Sequence, residues 1–400
     1  MLSALAEGES RIVGLSTGLD VAATSRIMVQ LGARREDRDG LVVVTGPDDG
    51  LRATREPLDC GNSGTTMRLL AGVVSSIVGE HTLIGDESLS QRPMDRVARP
   101  LSDMGSSVEG RGERTTAPLI IRGSSELRGI TYHLPMASAQ VKSAILFAGL
   151  RATGRTTVRE DVRTRSTTEE MMARAGIAVS SASGDADLGR TVTLEPGRPR
   201  RCEWDVPGDP SQAAFFAVLA AVHPDAMIDV THLEVSPERN GYLAVLARMG
   251  AQLHVDYESD TLRFTASSSE LSATDIHAHE LPSVDEVPVL VVAAAAATGT
   301  TAFREVGELR HKESNRFTGS MELATKLGCR VWSDGDDFFV AGLGSAGRFS
   351  DFTMSASLDH RMVMASAVAG LAGSGCTLES VSTVATSYPR FFHDVERLSE

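Results

Sequence analysis

Ile27-Met28-Val29-Gln30-Leu31-Gly32-Ala33 closes a helix-like stretch on a hydrophobic residue followed by glycine, after which a strand-like run begins. The same ending recurs at Met104-Gly105, Ala175-Gly176, Met249-Gly250 and Leu327-Gly328. In chain order these glycines stand 73, 71, 74 and 78 residues apart. Glycine is expected just past a last helical turn, because without a Cβ it reaches positive φ at no steric cost. A period of about 70 residues is too long for a solenoid repeat. It fits a repeated α/β unit of two helices and several strands. A sixth unit then ends near residue 400, where Asp394-Val395-Glu396-Arg397-Leu398 reads as a closing helix.

Working outward, Leu41–Thr45, Thr191–Leu194 and Phe338–Val340 are β-branched or aromatic runs bounded by turn residues, and read as strands. Thr66–Val78, Ala137–Leu150, Ser211–Val222 and Arg361–Ala372 read as helices. The midpoint at Pro207-Gly208 is the expected domain boundary, giving domains 1–207 and 208–400 with three repeats each and a tight hinge between them. The four cysteines, Cys60, Cys202, Cys329 and Cys376, are far apart and form no CxxC pair. That pattern excludes a disulfide framework and a zinc knuckle and suits a reducing compartment. A formal net charge of −14 argues against nucleic acid as a partner. Met1-Leu2-Ser3-Ala4 lacks the basic start of a signal peptide. The apolar run Val287–Ala297 is too short to span a bilayer. The expectation is a soluble cytoplasmic monomer without membrane or nucleic-acid partners.

Against this acidic background, basic residues gather at helix starts. Glu308-Leu309-Arg310-His311-Lys312-Glu313-Ser314-Asn315-Arg316 holds one of only three lysines in the chain. If it opens a helix, Lys312 and Arg316 share a face with Glu313 beside them. That suits an anionic ligand and a proton to be moved; a solvated, salt-bridged face is the plainer alternative. Asp59-Cys60-Gly61-Asn62-Ser63-Gly64-Thr65-Thr66-Met67-Arg68 is a glycine-rich turn feeding a helix, whose free amides favour phosphate or carboxylate. It is not a Walker loop, because no Lys-Ser/Thr follows the glycines. In Gln91-Arg92-Pro93-Met94-Asp95-Arg96, Pro93 fits the first helical position and places Arg92 where it can clamp an oxyanion. Ser138 and Gln140 open an apolar helix with neutral hydrogen-bonding groups, and Ser138 also fits a plain N-cap. Thr164-Arg165-Ser166-Thr167-Thr168-Glu169 reads equally as a capping-box helix start with Arg165 just outside it. Pro282-Ser283-Val284-Asp285-Glu286 places Asp285 directly before the most apolar helix, as a cap or as a partly buried acid. Leu358-Asp359-His360-Arg361-Met362 repeats the theme, with Asp359 as cap and Arg361 free to bind an anion. No metal-ligand spacing, dinucleotide GxGxxG or GxSxG elbow is present.

Together these motifs resemble those of the enolpyruvyl transferases, and within them the EPSP synthase (3-phosphoshikimate 1-carboxyvinyltransferase) family. The resemblance runs in order from Gly61–Arg68 through Gly85-Asp86-Glu87-Ser88-Leu89-Ser90-Gln91-Arg92-Pro93-Met94, Ser138-Ala139-Gln140, Asp285, Lys312–Arg316 and Asp359–Met362 to Ser387-Tyr388-Pro389-Arg390-Phe391-Phe392. It implies a two-domain inside-out α/β barrel of six βαββαβ repeats, three per domain, closing on its substrates. It also implies that the 5-hydroxyl of shikimate 3-phosphate attacks C2 of phosphoenolpyruvate, a proton adds to C3, and phosphate leaves a tetrahedral intermediate. By motif position, Asp285 is the acid/base at the attacking hydroxyl and Glu313 handles the methyl-carbon proton. Ser138, Gln140, Arg165, Asp285 and Lys312 then hold shikimate 3-phosphate. Asn62, Gly64, Thr65, Arg92, Gln140, Arg316 and Arg361 hold phosphoenolpyruvate. Neither a metal nor an organic cofactor is implied.

Two departures stand out. The family's Gly-Asp-Lys-Ser-x-Ser-x-Arg motif precedes the stretch matching Leu5–Ser10, and the chain begins after it. Its lysine, serine and arginine, and the first strand of the second domain, are therefore missing. Each lost charge-assisted hydrogen bond weakens binding by roughly 1.5–3 kcal/mol, and a longer protein from an upstream start is expected. Thr386 stands where some members carry lysine, a subfamily variation. Two alternatives remain: a truncated or non-catalytic member of the same fold, and UDP-N-acetylglucosamine enolpyruvyl transferase. The second carries a cysteine before its Arg-Pro, where Glu87-Ser88-Leu89-Ser90-Gln91 has none.

Overall fold

Each of the five repeating glycines ends a helix with its backbone in the left-handed region, at φ values from +79° to +111°. The N–H of each following residue returns to a carbonyl inside the helix, as in Ala33 to Met28 and Cys329 to Ala324, both at 3.0 Å. This closing turn is strained for any residue with a Cβ, so glycine dictates where the helix stops and the strand starts. In the computed structural model, residues 1–183, 189–258, 260–281, 283–344, 349–355 and 359–398 are described. Pro282 and Leu358, which belong to the Asp285 and Asp359 motifs, lie outside them.

The chain divides into two units, Met1–Val206 and Pro207–Glu400. The first holds α1 (Leu2–Leu5), α2 (Leu19–Gln30), α3 (Gly64–Ser75), α4 (Asp95–Asp103), α5 (Ala139–Gly149) and α6 (Thr167–Arg174). The second holds α7 (Pro210–Val222), α8 (Pro237–Arg248), α9 (Val287–Ala296), α10 (Arg316–Lys326), α11 (His360–Ala372) and α12 (Phe391–Arg397). Among the described residues, none of these helices is long and apolar enough to cross a membrane.

One sheet plan recurs. Leu58–Asp59 pairs parallel with Gly79–Ile84, which pairs antiparallel with Thr116–Gly123, which pairs antiparallel with Ser107–Arg111. The sheets of Thr131–His133 and of Asp275–His277 follow the same order. The helix inside each parallel crossover (α3, α5, α9) is largely buried, whereas the glycine-capped helices α2, α4, α6, α8 and α10 lead into the antiparallel hairpins. In the first sheet the parallel partner of Gly8–Val13 is Glu203–Asp205, the last strand of the same unit. Phe352–Ser355 and Cys376–Glu379 form a parallel pair around α11.

The crossover helices are apolar nearly all round because they are packed on every side. Val287 to Ala295 of α9 are all buried, and α7, α9 and α11 pack on one another in the core of the second unit. In the first unit α3 packs on α5. Gly72 makes that approach possible, since a Cβ there would meet the Ala144 carbonyl oxygen at 2.1 Å. Burying each such Val or Leu contributes about 1.5–3 kcal/mol. The polar residues that open these helices are left at one end of each bundle, and the candidate site is built from them.

Candidate active site

In the first unit the turn before α3 is organised by hydrogen bonds. Ser63 caps α3 by accepting the Thr66 N–H at 3.1 Å. The Asn62 amide donates to Asp86 Oδ2 at 2.5 Å, and its Oδ1 accepts from Arg92 at 3.2 Å. Gln140, in the first turn of α5, accepts from Arg68 at 2.7 Å and donates to Thr65 Oγ1 at 2.7 Å. Ser138 caps α5 by accepting the Val141 N–H. A Cβ at Gly64 would stand 2.9 Å from an Arg68 nitrogen and 3.1 Å from an Arg92 nitrogen, so a side chain there would push against both guanidinium groups. Asn62, Gly64, Thr65, Arg92, Gln140 and Ser138 therefore occupy two neighbouring helix starts. Arg165 lies on the turn before α6, half-buried.

Two local expectations fail here. Pro93 does not open a helix. Leu89–Gln91 forms one 3-10 turn, Arg92 follows it in extended conformation, and α4 begins only at Asp95. Arg92 reaches Asn62 because that extended backbone turns it towards α3. The capping box at Ser166 does not form either, since Ser166 makes no cap hydrogen bond and Glu169 pairs with Lys142 instead.

In the second unit the site centres on Arg316, the first residue of α10, only 1% exposed. Its guanidinium meets three carboxylates: Asp359 at 2.8 Å, Asp285 at 3.0 Å and Glu313 at 2.5 Å. Ser314 adds a hydrogen bond to Asp359 at 2.7 Å. The other Asp359 oxygen accepts the Arg361 and Met362 N–H groups, so the residue both caps α11 and anchors Arg316. Arg361 donates to the Asp285 carbonyl at 3.3 Å, with its other terminal nitrogen 3.7 Å from Oδ2. Lys312 lies 3.8 Å from Asp285 and 2.6 Å from Glu308. Val284, just before Asp285, holds φ at +49°, a costly conformation for a β-branched residue.

Burial alone would push the Asp359 carboxyl up, but Arg316, His360 and Ser314 outweigh it and bring its pKa down to about 2. Burial, reinforced by the charges of Arg361 and Arg316, lowers His360 to about 4. Burial opposes the Arg316 charge, yet Asp359, Glu313 and Asp285 together raise its pKa. Asp359 is 1% exposed, whereas Asp285 and Glu313 keep 21% and 22%, so two of the three carboxylates stay within reach of a ligand.

The 308–316 segment is not one helix. Gly307–His311 is a 3-10 turn, Lys312 is extended, and α10 starts at Arg316 with Asn315 as its cap. Lys312 and Arg316 thus share no helix face, and they meet at Asp285 instead. Asp285 is not a cap, because Glu286 precedes α9 and accepts a hydrogen bond from Ser211. Residue patterns pointed to no metal set, but among the described residues three-dimensional proximity assembles one candidate. His277, His279 and Glu305 bring donor atoms within 4.8 Å of one another. One His277 ring nitrogen already accepts the Glu280 N–H, so that imidazole serves as a turn cap. The sequence reading also missed Arg68, Asp86 and the ionic role of Asp359. Arg68 was visible as the residue one helical turn after Gly64.

Two units built from one repeated α/β plan, with anion-friendly polar groups at their helix starts, define an enolpyruvyl-transferase class of protein. The sequence profile of EPSP synthase (3-phosphoshikimate 1-carboxyvinyltransferase) matches residues 1–395. The 3-phosphoshikimate 1-carboxyvinyltransferase of Streptococcus equi subsp. zooepidemicus is 38% identical over 406 residues, covering 100% of this chain and 93% of that protein. The Anaeromyxobacter protein of the same name is 40% identical, covering 100% and 92%. The crystal structure of EPSP synthase from Acinetobacter baumannii superposes with a TM-score of 0.85 at 36% identity, covering 100% and 92%. The enolpyruvyl transferase NikO from Streptomyces tendae shares the fold, with a TM-score of 0.77 at 18% identity. The chain belongs to the EPSP synthase family.

Proposed function

We propose that this chain transfers the enolpyruvyl group of phosphoenolpyruvate to the 5-hydroxyl of shikimate 3-phosphate, releasing phosphate. The observation that carries the reading is the Arg316 cluster: a buried guanidinium holds Asp285 and Glu313 in place while leaving both partly exposed. Asp285, beside Lys312 and Arg361, is placed to take the proton of the attacking hydroxyl. Glu313 delivers a proton to C3 as the C2–O bond forms, and removes one from C3 as the C–O bond to phosphate breaks. Proton transfer by such positioned carboxyl groups contributes about 10²–10⁴-fold. Ser138, Gln140, Arg165, Asp285 and Lys312 bind shikimate 3-phosphate. Asn62, Gly64, Thr65, Arg92, Gln140, Arg316 and Arg361 bind phosphoenolpyruvate, where Gly64 leaves space that a side chain would fill. The chain acts as a monomer in the cytoplasm and needs no cofactor.

The test is phosphate release from phosphoenolpyruvate by the purified chain, with and without shikimate 3-phosphate. Release that requires both substrates is expected. Release driven by UDP-N-acetylglucosamine instead, or none with either acceptor, would overturn the reading.

A further inference from the structure

Away from the groups assigned above, the first unit gathers four ionic side chains, three of them buried and Arg190 14% exposed. Lys142 of α5 is fully buried, with Nζ 3.3 Å from Glu160 and 2.7 Å from Glu169. Arg190 faces the same two carboxylates, 2.8 Å from Glu160 and 3.6 Å from Glu169. Two cations and two carboxylates thus form a closed ring in which every charge touches both of its opposites. Apolar side chains of similar volume often stabilise a core as well as or better than buried ions do. The ring's outward contacts indicate what it does instead.

They converge on Thr164. Glu160 accepts the Thr164 N–H at 3.3 Å and the Thr164 hydroxyl at 2.7 Å, and Arg190 donates to the Thr164 carbonyl. All three polar groups of this residue are therefore held by members of the ring. Thr164 directly precedes Arg165, while the Lys142 N–H closes the first turn of α5 on the Ser138 carbonyl at 3.1 Å. Ser143 and Thr168, hydrogen-bonded at 2.7 Å, tie α5 to α6 a second time.

We propose that the Lys142–Glu160–Glu169–Arg190 ring is a positioning device that fixes the Arg165 turn against the start of α5 and so sets affinity for shikimate 3-phosphate. This rests on the function proposed above. None of the four is a catalytic residue; they act through Thr164, Arg165 and Ser138. Gln140 and Arg92 have separate anchors on Thr65, Arg68 and Asn62, so phosphoenolpyruvate binding is largely spared.

The experiment compares the full chain with Thr164→Val, which removes one tether and keeps the ring, and with Lys142→Met, which opens the ring. Calorimetric titration with shikimate 3-phosphate, KM for phosphoenolpyruvate and amide hydrogen exchange are read for each. Thr164→Val is expected to weaken shikimate 3-phosphate binding about threefold to tenfold, with KM for phosphoenolpyruvate within about twofold. Lys142→Met is expected to weaken it further and to speed exchange across residues 161–168. A folded Thr164→Val with unchanged affinity overturns the proposal, and this holds even if Lys142→Met fails to fold. If the unsubstituted chain binds no shikimate 3-phosphate, the proposed function falls instead. Exchange then decides alone: faster exchange confined to 161–168 supports the device, and unchanged protection there overturns it.

Discussion

The polar clusters of the two units are built on the same plan and filled with opposite chemistry. In the first unit, the starts of α3 and α5 present hydroxyls, amides and the arginines Arg68 and Arg92, and the acid beside them, Asp86, is spent on Asn62. In the second, the segment before α9 and the starts of α10 and α11 surround one buried guanidinium with three carboxylates. Neutral groups and arginines bind anions without exchanging protons near neutral pH. Carboxyl groups are the kind of side chain that can take up and release a proton during a reaction. The same repeated fold thus supplies two kinds of helix start, one lined by neutral groups and arginines and one by carboxylates gathered on a guanidinium.

The comparison breaks first at Arg316. Arg316→Met strands Asp359 in the core and is expected to cost about 3–5 kcal/mol of stability, read as a large fall in thermal midpoint together with loss of turnover. A variant that melts like the parent chain would show that the cluster does not hold the second unit together. Glu313→Gln comes next. It should lower kcat by about 10²–10⁴-fold while shikimate 3-phosphate binding, measured by calorimetry, stays nearly unchanged; parental turnover would remove Glu313 from proton transfer. Gly64→Ala probes the other unit. The added methyl crowds Arg68 and Arg92, so KM for phosphoenolpyruvate should rise about tenfold with a smaller change in kcat, the pattern of lost ground-state binding.

The smallest effect concerns acid. The unfolded chain protonates His360 near pH 6.5, whereas the folded imidazole waits until about 4. Between those values the unfolded state takes up more protons, so stability falls as pH drops through this window. Below it, Asp359 adds a further loss as pH approaches 2. His360→Asn should therefore flatten the decline in thermal midpoint between pH 6.5 and 4, and an identical decline would show that another group carries it.

Much of the fold was legible because it rests on local rules. The glycines at 32, 105, 176, 250 and 328 must adopt positive φ, and all five do. The crossover helices announced themselves by apolar runs, and Asp359 and Ser138 cap as their positions suggested. The failures came where distant partners compete with local preference. Glu169 has the spacing of a capping residue for Ser166, but a buried lysine on another helix outbids the cap. The 308–316 segment has helical spacing throughout, yet breaks at Lys312 because Asp285 and Asp359 fix where Arg316 must start its helix. Lys142 lies in an apolar helix, and nothing in its neighbourhood along the chain reveals Glu160 and Glu169 as its partners.

The pairing of Gly8–Val13 with Glu203–Asp205 has a consequence for how the first unit could be rearranged. Its opening and closing strands run side by side and parallel, in register from Arg11 opposite Glu203 to Val13 opposite Asp205. Adjacent strands lie about 4.8 Å apart, but because the pair is parallel, the first strand is entered at its Gly8 end and the last is left at Asp205, beside Val13 at the other end of the ladder. A circular permutation of this unit, with new termini cut into an exposed turn such as Asp39-Gly40, therefore needs a bridge that returns along the ladder, at about 3.3 Å per residue, rather than a tight turn.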